Sequence, residues 1–330
     1  MIVTLAGGVG AARMLGGLVQ VVPPSELVAV VNVGDDLVLH GLHISPDIDT
    51  VTYTLAGAIN TETGWGLTDE SWQARAMLDR YGGVSWFGLG DRDLGTHLYR
   101  TQRLSEGADL ATVTDEIARA WGLELRIVPV TGDRVRTMVT LASDDHTDGV
   151  DGLGAAALPA GTEIEFQQYF VQRRHAVPVS AVRIDGADRA RPTEGVLESL
   201  ADADAVVIAP SNPIVSIEPV LAVSGVRDAV SARRDTVVAV SPIVAGAALK
   251  GPADRMLVEL GHEPSVVGVA RLYAAVAGTL VIDEADADRA GEVEAEGLRC
   301  VVTHTVMRTP DAAAALARTT LAAVDVELRP

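Results

Sequence analysis

Residues 1–14 read MIVTLAGGVGAARM, and the order of residue types in this stretch indicates the class of fold. It contains an apolar, β-branched run, then a glycine-rich loop, then the start of a helix. A strand that stops in glycines and turns directly into a helix is typical of α/β proteins. Four further apolar runs follow along the chain: LVAVVNV (27–33), ADAVVIAP (203–210), TVVAVSP (236–242) and LRCVVT (298–303).

These runs are continuously apolar rather than alternating, which indicates strands buried on both faces of a parallel sheet. Helical patterns lie between them, for example over 196–203 and 225–234. We therefore predict an α/β fold with a doubly wound, mainly parallel, Rossmann-like sheet. Ligands of such sheets bind at the carboxyl ends of the strands, so the loops after the runs are expected to carry the function.

The chain of 330 residues is compatible with one large α/β domain, which we predict over 1–330. Two segments depart from the alternation of strands and helices. Residues 60–125 are predicted to form a mainly helical insertion, with its clearest helices over 69–82 and 108–122. Residues 142–178 are predicted to form a loop or flap, because their first part is rich in Gly, Asp and Ala.

The composition excludes several classes of protein. The formal charge of −19 argues against an extended nucleic-acid surface, which needs a basic stripe. The single cysteine, Cys300, excludes an internal disulfide framework, and we interpret it as a buried packing thiol. No apolar run is long enough to cross a bilayer and no signal-peptide pattern is present, so we expect a cytoplasmic protein without a membrane partner.

The glycine loop is a candidate anion site. Gly8 and Gly10 would let backbone N–H groups approach an anion at a helix N-terminus, with Arg13 nearby. The loop is not a Walker A motif, because the only lysine of the chain is Lys250. It is not a dinucleotide fingerprint either, since Arg13 replaces a required glycine and Asn32 replaces the acid that binds the ribose. A different phosphate-binding loop and a purely structural turn both remain possible interpretations.

The second candidate is NVGDDLVLHGLHISPDIDT, residues 32–50, which follows a buried run. An aspartate at a helix start, such as Asp49 beside Thr50, is commonplace as a cap. Capping does not explain Asp35 and Asp36 as well, because clustered carboxylates destabilise one another unless a cation or proton is shared. Mg²⁺ commonly binds one or two carboxylates together with substrate phosphates, so we predict Mg²⁺ bound by Asp35, Asp36 and Asp49.

The third candidate is WFGLGDRDLGTHLYRTQRLSEG, residues 86–107. Asp91 and Arg92 belong to a predicted turn, and His97 and Arg100 lie on the helix that follows. A surface helix of mixed charge would explain this pattern. The alternative is that Arg92, His97 and neighbouring arginines concentrate positive charge in an acidic chain and hold an anionic ligand.

The fourth candidate is VVIAPSNPIVSIEPVL, residues 206–221, where a buried run meets Ser211, Asn212 and Pro213. Ser and Asn side chains there could hydrogen-bond a base or a ribose. VVAVSPIVAGAALKGPADRM, residues 237–256, repeats the arrangement after the next run. Each segment alone would be explained as a turn, but two such loops at neighbouring strand ends favour a shared pocket.

Taken together, these motifs resemble the transferases of deazaflavin coenzyme biosynthesis, the CofD/FbiA family, over essentially the whole chain. The resemblance rests on GGVG, NVGDD with SPDIDT, LGDRDLGTH with YRTQRLSEG, EFQQYFV, APSNPIVSIEPVL and VSPIVAGAALKGPADR, in this order. It implies transfer of a phosphoenolpyruvyl or 2-phospho-L-lactyl group from a guanosine-diphosphate-linked donor to the deazaflavin Fo. The implied products are GMP and coenzyme F-420-0 or its dehydro form. Mg²⁺ and a homodimer are implied as well.

The resemblance and the residue patterns together suggest roles for individual residues. We expect Asp36 and Asp49 to be catalytic, and the donor to contact the glycine loop and the loop after 206–210. Asp49, Thr50, Asp91, Arg92 and His97 are expected to bind substrate. The residues expected at the donor are Gly8, Gly10, Arg13, Asn32, Ser211, Asn212 and Pro213.

Two other functions compete with a transferase. Related regulatory proteins that bind nucleotide sugars share the GGxG and NVGDD regions, but the GDRDLGTH and QQYFV segments are not expected in them. A Rossmann oxidoreductase is disfavoured by the failed fingerprint at Arg13 and Asn32. For the donor, the Ala- and Arg-rich composition resembles that of actinobacterial members, which favours the phosphoenolpyruvyl group.

Overall fold

The structure is a computed structural model that describes residues 1–146 and 156–326. Its strands, in chain order, are β1 (Ile2–Ala6), β2 (Leu27–Val31), β3 (Leu37–Leu39), β4 (Leu42–Ile44), β5 (Arg126–Pro129), β6 (Arg136–Leu141), β7 (Glu163–Glu165), β8 (Val179–Asp185), β9 (Ala205–Ile208), β10 (Val237–Val240), β11 (Ile243–Val244), β12 (Ala247–Ala248), β13 (Thr279–Asp283) and β14 (Arg299–Thr303).

The α-helices are α1 (Gly8–Leu18), α2 (Pro46–Leu55), α3 (Gln73–Arg80), α4 (Asp93–Ser105), α5 (Leu110–Ala120), α6 (Val196–Asp202), α7 (Glu218–Leu221), α8 (Val226–Ser231), α9 (Ala253–Glu259), α10 (Val266–Tyr273), α11 (Ala290–Ala295) and α12 (Pro310–Ala322). Short 3₁₀ turns cover Pro24–Glu26, Arg234–Thr236 and Glu284–Arg289, and π-type turns cover Gln168–Gln172 and Pro213–Ile217.

The central sheet has seven strands in the order β14-β13-β10-β9-β1-β2-β5. All neighbouring pairs in it are parallel. The order reverses beside β1, because the chain first moves outward through β2 and β5 and then returns to the other side at β9. This is the doubly wound arrangement of a Rossmann-like sheet, and the predicted fold class is confirmed.

The apolar runs of the sequence account for five of the seven strands, and β5 and β13 are not among them. Strand β5 reads RIVP, so only two apolar residues separate an exposed Arg126 from a proline. Strand β13 reads TLVID and is buried at every position. Its apolar core of three residues is too short for the pattern alone to distinguish it from a helix segment.

Helices α1 and α12 pack closely on the sheet. A Cβ atom built on Gly17 of α1 would lie 2.3 Å from the backbone oxygen of Ala313 in α12. A Cβ atom built on the neighbouring Gly16 meets no atom within 4 Å. The absence of a side chain at Gly17 therefore allows the backbones of the two helices to approach one another.

The segment between β2 and β5 contains the β3–β4 hairpin and helices α2 to α5. Helix α4 packs against β4, and α5 packs against β5 of the central sheet. A second sheet, in the order β7-β6-β8, is antiparallel and follows β5. The predicted flap over 142–178 includes β7 and the π-type turn Gln168–Gln172, while residues 147–155 of it lie outside the described residues.

Candidate functional site

Four aspartates of the segment after β2 are buried at the carboxyl edge of the central sheet. Their exposed fractions are 6% for Asp35, 7% for Asp36, 7% for Asp47 and 5% for Asp49. We expected a helix to start at Asp49 and Thr50, but α2 begins at Pro46. Proline has a backbone angle suited to the first helical turn and lacks an N–H that would need a partner there. Asp47 and Asp49 therefore both lie in the first turn, where the helix dipole favours carboxylates.

Asp47 connects the end of β2 to the glycine loop. The side-chain amide of Asn32 donates to Asp47 Oδ2 at 2.9 Å, and the N–H of Gly8 also donates to this carboxylate. The carbonyl oxygen of the Asn32 side chain accepts from the N–H of Gly34 at 2.7 Å. Burial raises the pKa of Asp47 to about 6 in spite of these hydrogen bonds. Among the described residues, the side chain of Asn32, which we expected to contact the donor, therefore positions the carboxylate of Asp47.

Asp35 and Asp36 each have one oxygen without a partner. The hydroxyl of Ser45 donates to Asp36 Oδ2 at 2.7 Å, and His43 Nε2 lies 3.3 Å from the same oxygen. Asp35 Oδ1 and Asp36 Oδ1 are buried and have no hydrogen-bond partner among the described residues. Burial raises the pKa of both carboxyl groups well above the usual value. Two acceptor atoms are therefore available for a cation or a proton.

Asp49 is held by an arginine from α4. Arg100, which is fully buried, donates through Nη2 to Asp49 Oδ1 and through Nη1 to Asp49 Oδ2, the latter at 3.1 Å. Burial opposes the charge of Arg100, but Asp49 together with Asp36 outweighs this effect, and the pKa of Arg100 is raised. His97 Nδ1 lies 3.7 Å from Asp49 Oδ2, and His97 Nε2 lies 3.3 Å from Asp93 Oδ2. His97, which we predicted to bind substrate, therefore lies beside Asp49, one of the four buried aspartates.

Asp91 and Arg92 contact a different part of the molecule. Asp91 accepts hydrogen bonds from the N–H groups of Gln73 and Ala74 at 3.0 and 3.1 Å, and from a serine hydroxyl. Arg92 Nη1 donates to the backbone oxygen of Thr68 at 2.6 Å. Within the described residues, both side chains stabilise the insertion around the start of α3. Their expected contact with substrate stays a prediction.

The loops after β1 and β9 contact each other directly. A Cβ atom built on Gly10 would lie 2.1 Å from the backbone oxygen of Pro210, so only glycine allows this approach. The hydroxyl of Ser211 donates to the backbone oxygen of Gly7 at 2.7 Å. Asn212 Oδ1 accepts from the N–H of Ile214 at 2.9 Å, and the buried Pro213 follows. Gly10, Ser211, Asn212 and Pro213, four of the residues expected at the donor, therefore lie at the point where the strand order reverses. This is the position typical of ligand sites in such sheets.

Comparison with known proteins identifies the family. A model of the family described as 2-phospho-L-lactate transferase CofD matches residues 2–319. The chain belongs to the CofD family. Its relatives include a phosphoenolpyruvate transferase of Streptomyces griseus, 43% identical with 97% of each chain covered. Another, of Mycolicibacterium smegmatis, is 40% identical with 99% of each chain covered. The expected transferase of coenzyme F-420 biosynthesis is confirmed at the level of the family.

The CofD-family chain also shares its fold with a solved structure. A member of the UPF0052 family from Bacillus halodurans superposes with a TM-score of 0.59 at 16% identity, with 97% of this chain and 98% of that chain covered. At this identity the likeness concerns the fold alone. Among the described residues of this CofD-family chain, no helix has the length and apolar character needed to span a membrane.

Among the described residues of this CofD-family site, few side chains are arranged to bind a metal ion. Within residues 1–146 and 156–326, no three side chains of His, Cys, Asp or Glu are arranged to hold a metal ion together. The unpartnered oxygens of Asp35 and Asp36 would nevertheless suit Mg²⁺, which often takes one or two carboxylates and completes its shell with water and substrate phosphates. Asp49 could still share an oxygen with such an ion, because each carboxylate oxygen has two lone pairs.

Arg100 and Asp47 are the site residues that the sequence patterns did not single out for a role. The sequence pattern favours Arg100 as one of several positive charges that hold an anion, whereas its guanidinium pairs with Asp49. A signal for it existed, because Asp93, His97 and Arg100 recur at helical spacing and so share one face of α4. No local pattern could reveal that this face meets Asp49, which lies 51 residues away along the chain.

Proposed function

We propose that this CofD-family enzyme transfers the phosphoenolpyruvyl group from a guanosine-diphosphate-linked donor to the terminal ribityl hydroxyl of Fo. The hydroxyl oxygen attacks the phosphorus that bears the enolpyruvyl group, the bond from that phosphorus to the bridging oxygen breaks, and GMP leaves. The hydroxyl proton passes to an acceptor at the site or to water. The products are dehydro-F-420-0 and GMP.

The observation that carries this proposal is the group of four buried aspartates, which lies beside the loops after β1 and β9 where these loops contact each other. Phosphoryl-type transfer requires a protein mainly to position the reactants and to neutralise charge. Mg²⁺ bound through Asp35 and Asp36 would supply this neutralisation on the phosphate oxygens. Asp36 and Asp49 are the proposed catalytic residues. Asp49, which is paired with Arg100 and lies beside His97, is the proposed contact of the acceptor.

The choice of the phosphoenolpyruvyl group is supported by the relatives. Proteins between 40% and 43% identical over 97% or more of this chain are described as phosphoenolpyruvate transferases. The family model is described by the 2-phospho-L-lactyl group instead. The two groups differ by two hydrogens, so we assign the donor from the more similar proteins. The cytoplasmic location and the homodimer belong to the same proposal.

The proposal is tested by incubating the purified protein with Fo, Mg²⁺ and each of the two guanylylated donors in separate reactions. We expect a deazaflavin product by mass spectrometry with the phosphoenolpyruvyl donor, together with one GMP for each product. The same reaction in excess chelator should give none. Product from the 2-phospho-L-lactyl donor alone would reassign the donor. Absence of product from both donors, with folded protein that binds nucleotide, would favour a regulatory nucleotide-binding protein.

A further inference from the structure

The only lysine of the chain reaches across to the insertion. Lys250 follows the β11–β12 hairpin at the carboxyl end of β10, and its Nζ donates to the backbone oxygen of Thr63 at 3.2 Å. A Cβ atom built on Gly64 would lie 2.2 Å from Lys250 Nζ and 3.8 Å from Val9 Cγ2. The ammonium group therefore lies over the first turn of α1, between the glycine loop and the insertion.

Arg13 on α1 is the second cation at this place. Both side chains belong to exposed residues. Burial and the nearby charge of Arg13 lower the pKa of Lys250. Neither residue forms an ion pair with a carboxylate within the described part of the chain, whereas Arg103, Arg183 and Arg289, which also lie at the surface, each do. Two adjacent like charges repel, and this repulsion is relieved when an anion binds between them.

Arg13 and Lys250 lack a carboxylate partner among the described residues although acids outnumber basic residues in the chain. The chain has 45 Asp and Glu residues against 26 Lys and Arg residues, so a carboxylate partner would be easy to supply. Asp47, which contacts the glycine loop, instead accepts hydrogen bonds from Asn32 and from the N–H of Gly8. Because that N–H is already used, an anion above the loop depends more strongly on the two side-chain cations.

We propose that Arg13 and Lys250 together bind the diphosphate of the guanosine nucleotide, an assignment that rests on the proposed function and adds Lys250 to its site. A diphosphate has charge and length to contact cations from two separate elements. Lysine acts as a compact point charge toward phosphate, while arginine adds a planar fork of donors. The Thr63 carbonyl holds the ammonium in place through one hydrogen bond and leaves its other N–H donors for the ligand.

The test is calorimetric titration of the full chain with GDP and Mg²⁺, comparing wild type with Lys250→Met, Lys250→Arg and Arg13→Met. We expect Lys250→Met and Arg13→Met to weaken GDP binding about 10- to 100-fold, and Lys250→Arg to stay within a few-fold of wild type. Arg318→Met is the matched control, because it removes one positive charge from an exposed position of α12 without an ion pair among the described residues. It should bind GDP as wild type does.

Competing probes separate the possible ligands. Inorganic diphosphate should displace GDP from wild type but only weakly from Lys250→Met. If Lys250→Met binds GDP normally, or if phosphoenolpyruvate rather than diphosphate loses affinity in this variant, the assignment is overturned. Binding is measured without Fo, so it does not depend on turnover. Normal GDP binding by wild type with loss in Lys250→Met would support this site even if the transfer to Fo failed.

Discussion

At the scale of single residues, the ion pair between Asp49 and Arg100 joins the proposed chemistry to stability. Both groups are at least 95% buried, and Arg100 comes from the insertion while Asp49 comes from the first turn of α2. Removing one member of a buried pair leaves the other charge uncompensated, which costs about 3–5 kcal/mol. A substitution here therefore acts on the fold as well as on the site.

We predict that Asp49→Asn and Arg100→Met each lower the free energy of unfolding by about 3–5 kcal/mol and abolish transfer. The double variant should lose less than the sum of the two single losses, because it leaves no unpaired charge of this pair. Urea unfolding of all four proteins measures the coupling. Additive losses would show that the pair contributes no mutual stabilisation, and transfer by Asp49→Asn would remove Asp49 from the catalytic residues.

The sequence could indicate the acids but not their partners. Asp35 and Asp36 directly follow a buried strand, and such adjacent carboxylates have few structural explanations. The partners Asn32, Ser45 and Arg100 are common residue types whose roles arise from contacts made in the folded molecule. Long-range contacts of this kind leave no periodic pattern, and this is why Arg92 and Arg100 could not be told apart in advance.

At the scale of elements, the contact between α1 and α12 depends on one of two neighbouring glycines. We predict that Gly17→Ala destabilises the protein by about 1–3 kcal/mol, because its Cβ would lie 2.3 Å from the backbone oxygen of Ala313. Gly16→Ala should instead stabilise it by about 0.5–1 kcal/mol through helix propensity, since no atom lies within 4 Å of the added Cβ.

Thermal and urea unfolding of both glycine variants measure whether their free energies of unfolding change in opposite directions. The two positions share a helix and a substitution, so each variant is the control for the other. Equal effects of the same sign would show that the approach of α1 to α12 does not determine the tolerance of this helix.

Element boundaries followed from the sequence less well than the order of elements. The alternation of apolar runs and helical patterns predicted the doubly wound sheet, because continuous apolar runs occur where both faces of a strand are covered. The start of α2 was placed too late, since Pro46 can begin a helix as readily as it can end a strand. A proline between two elements therefore marks a boundary, but it does not show whether a strand ends or a helix begins there.

At the scale of the whole molecule, the buried acids make stability depend on pH. Asp47 has a pKa of about 6 in the folded protein against 3.8 for an unperturbed aspartate, and burial shifts Asp35 and Asp36 in the same direction. The folded state thus binds more protons than the unfolded state between these values. By linkage, these three carboxyl groups contribute stability that is fully present below about pH 4 and is lost as the pH rises through their raised pKa values.

We predict that Asp47→Asn removes part of this loss. Measured by urea unfolding from pH 4 to 7 in metal-free buffer, the free energy of unfolding of Asp47→Asn minus that of wild type should increase with pH. The increase should be about 3 kcal/mol at most and should level off above pH 6. A difference that is constant over this range would show that Asp47 does not titrate differently in the folded and unfolded states.

The contact between Gly10 and Pro210 determines where the molecule can move during a catalytic cycle. Backbone meets backbone there, and the hydroxyl of Ser211 binds the carbonyl of Gly7 beside it. Together with the parallel pairing of β1 and β9, these contacts hold the two halves of the central sheet together at their junction. We therefore expect substrates to enter and products to leave through movements of the segments around the sheet, such as the insertion. Where such a movement limits the rate, turnover should slow as the solvent viscosity is raised.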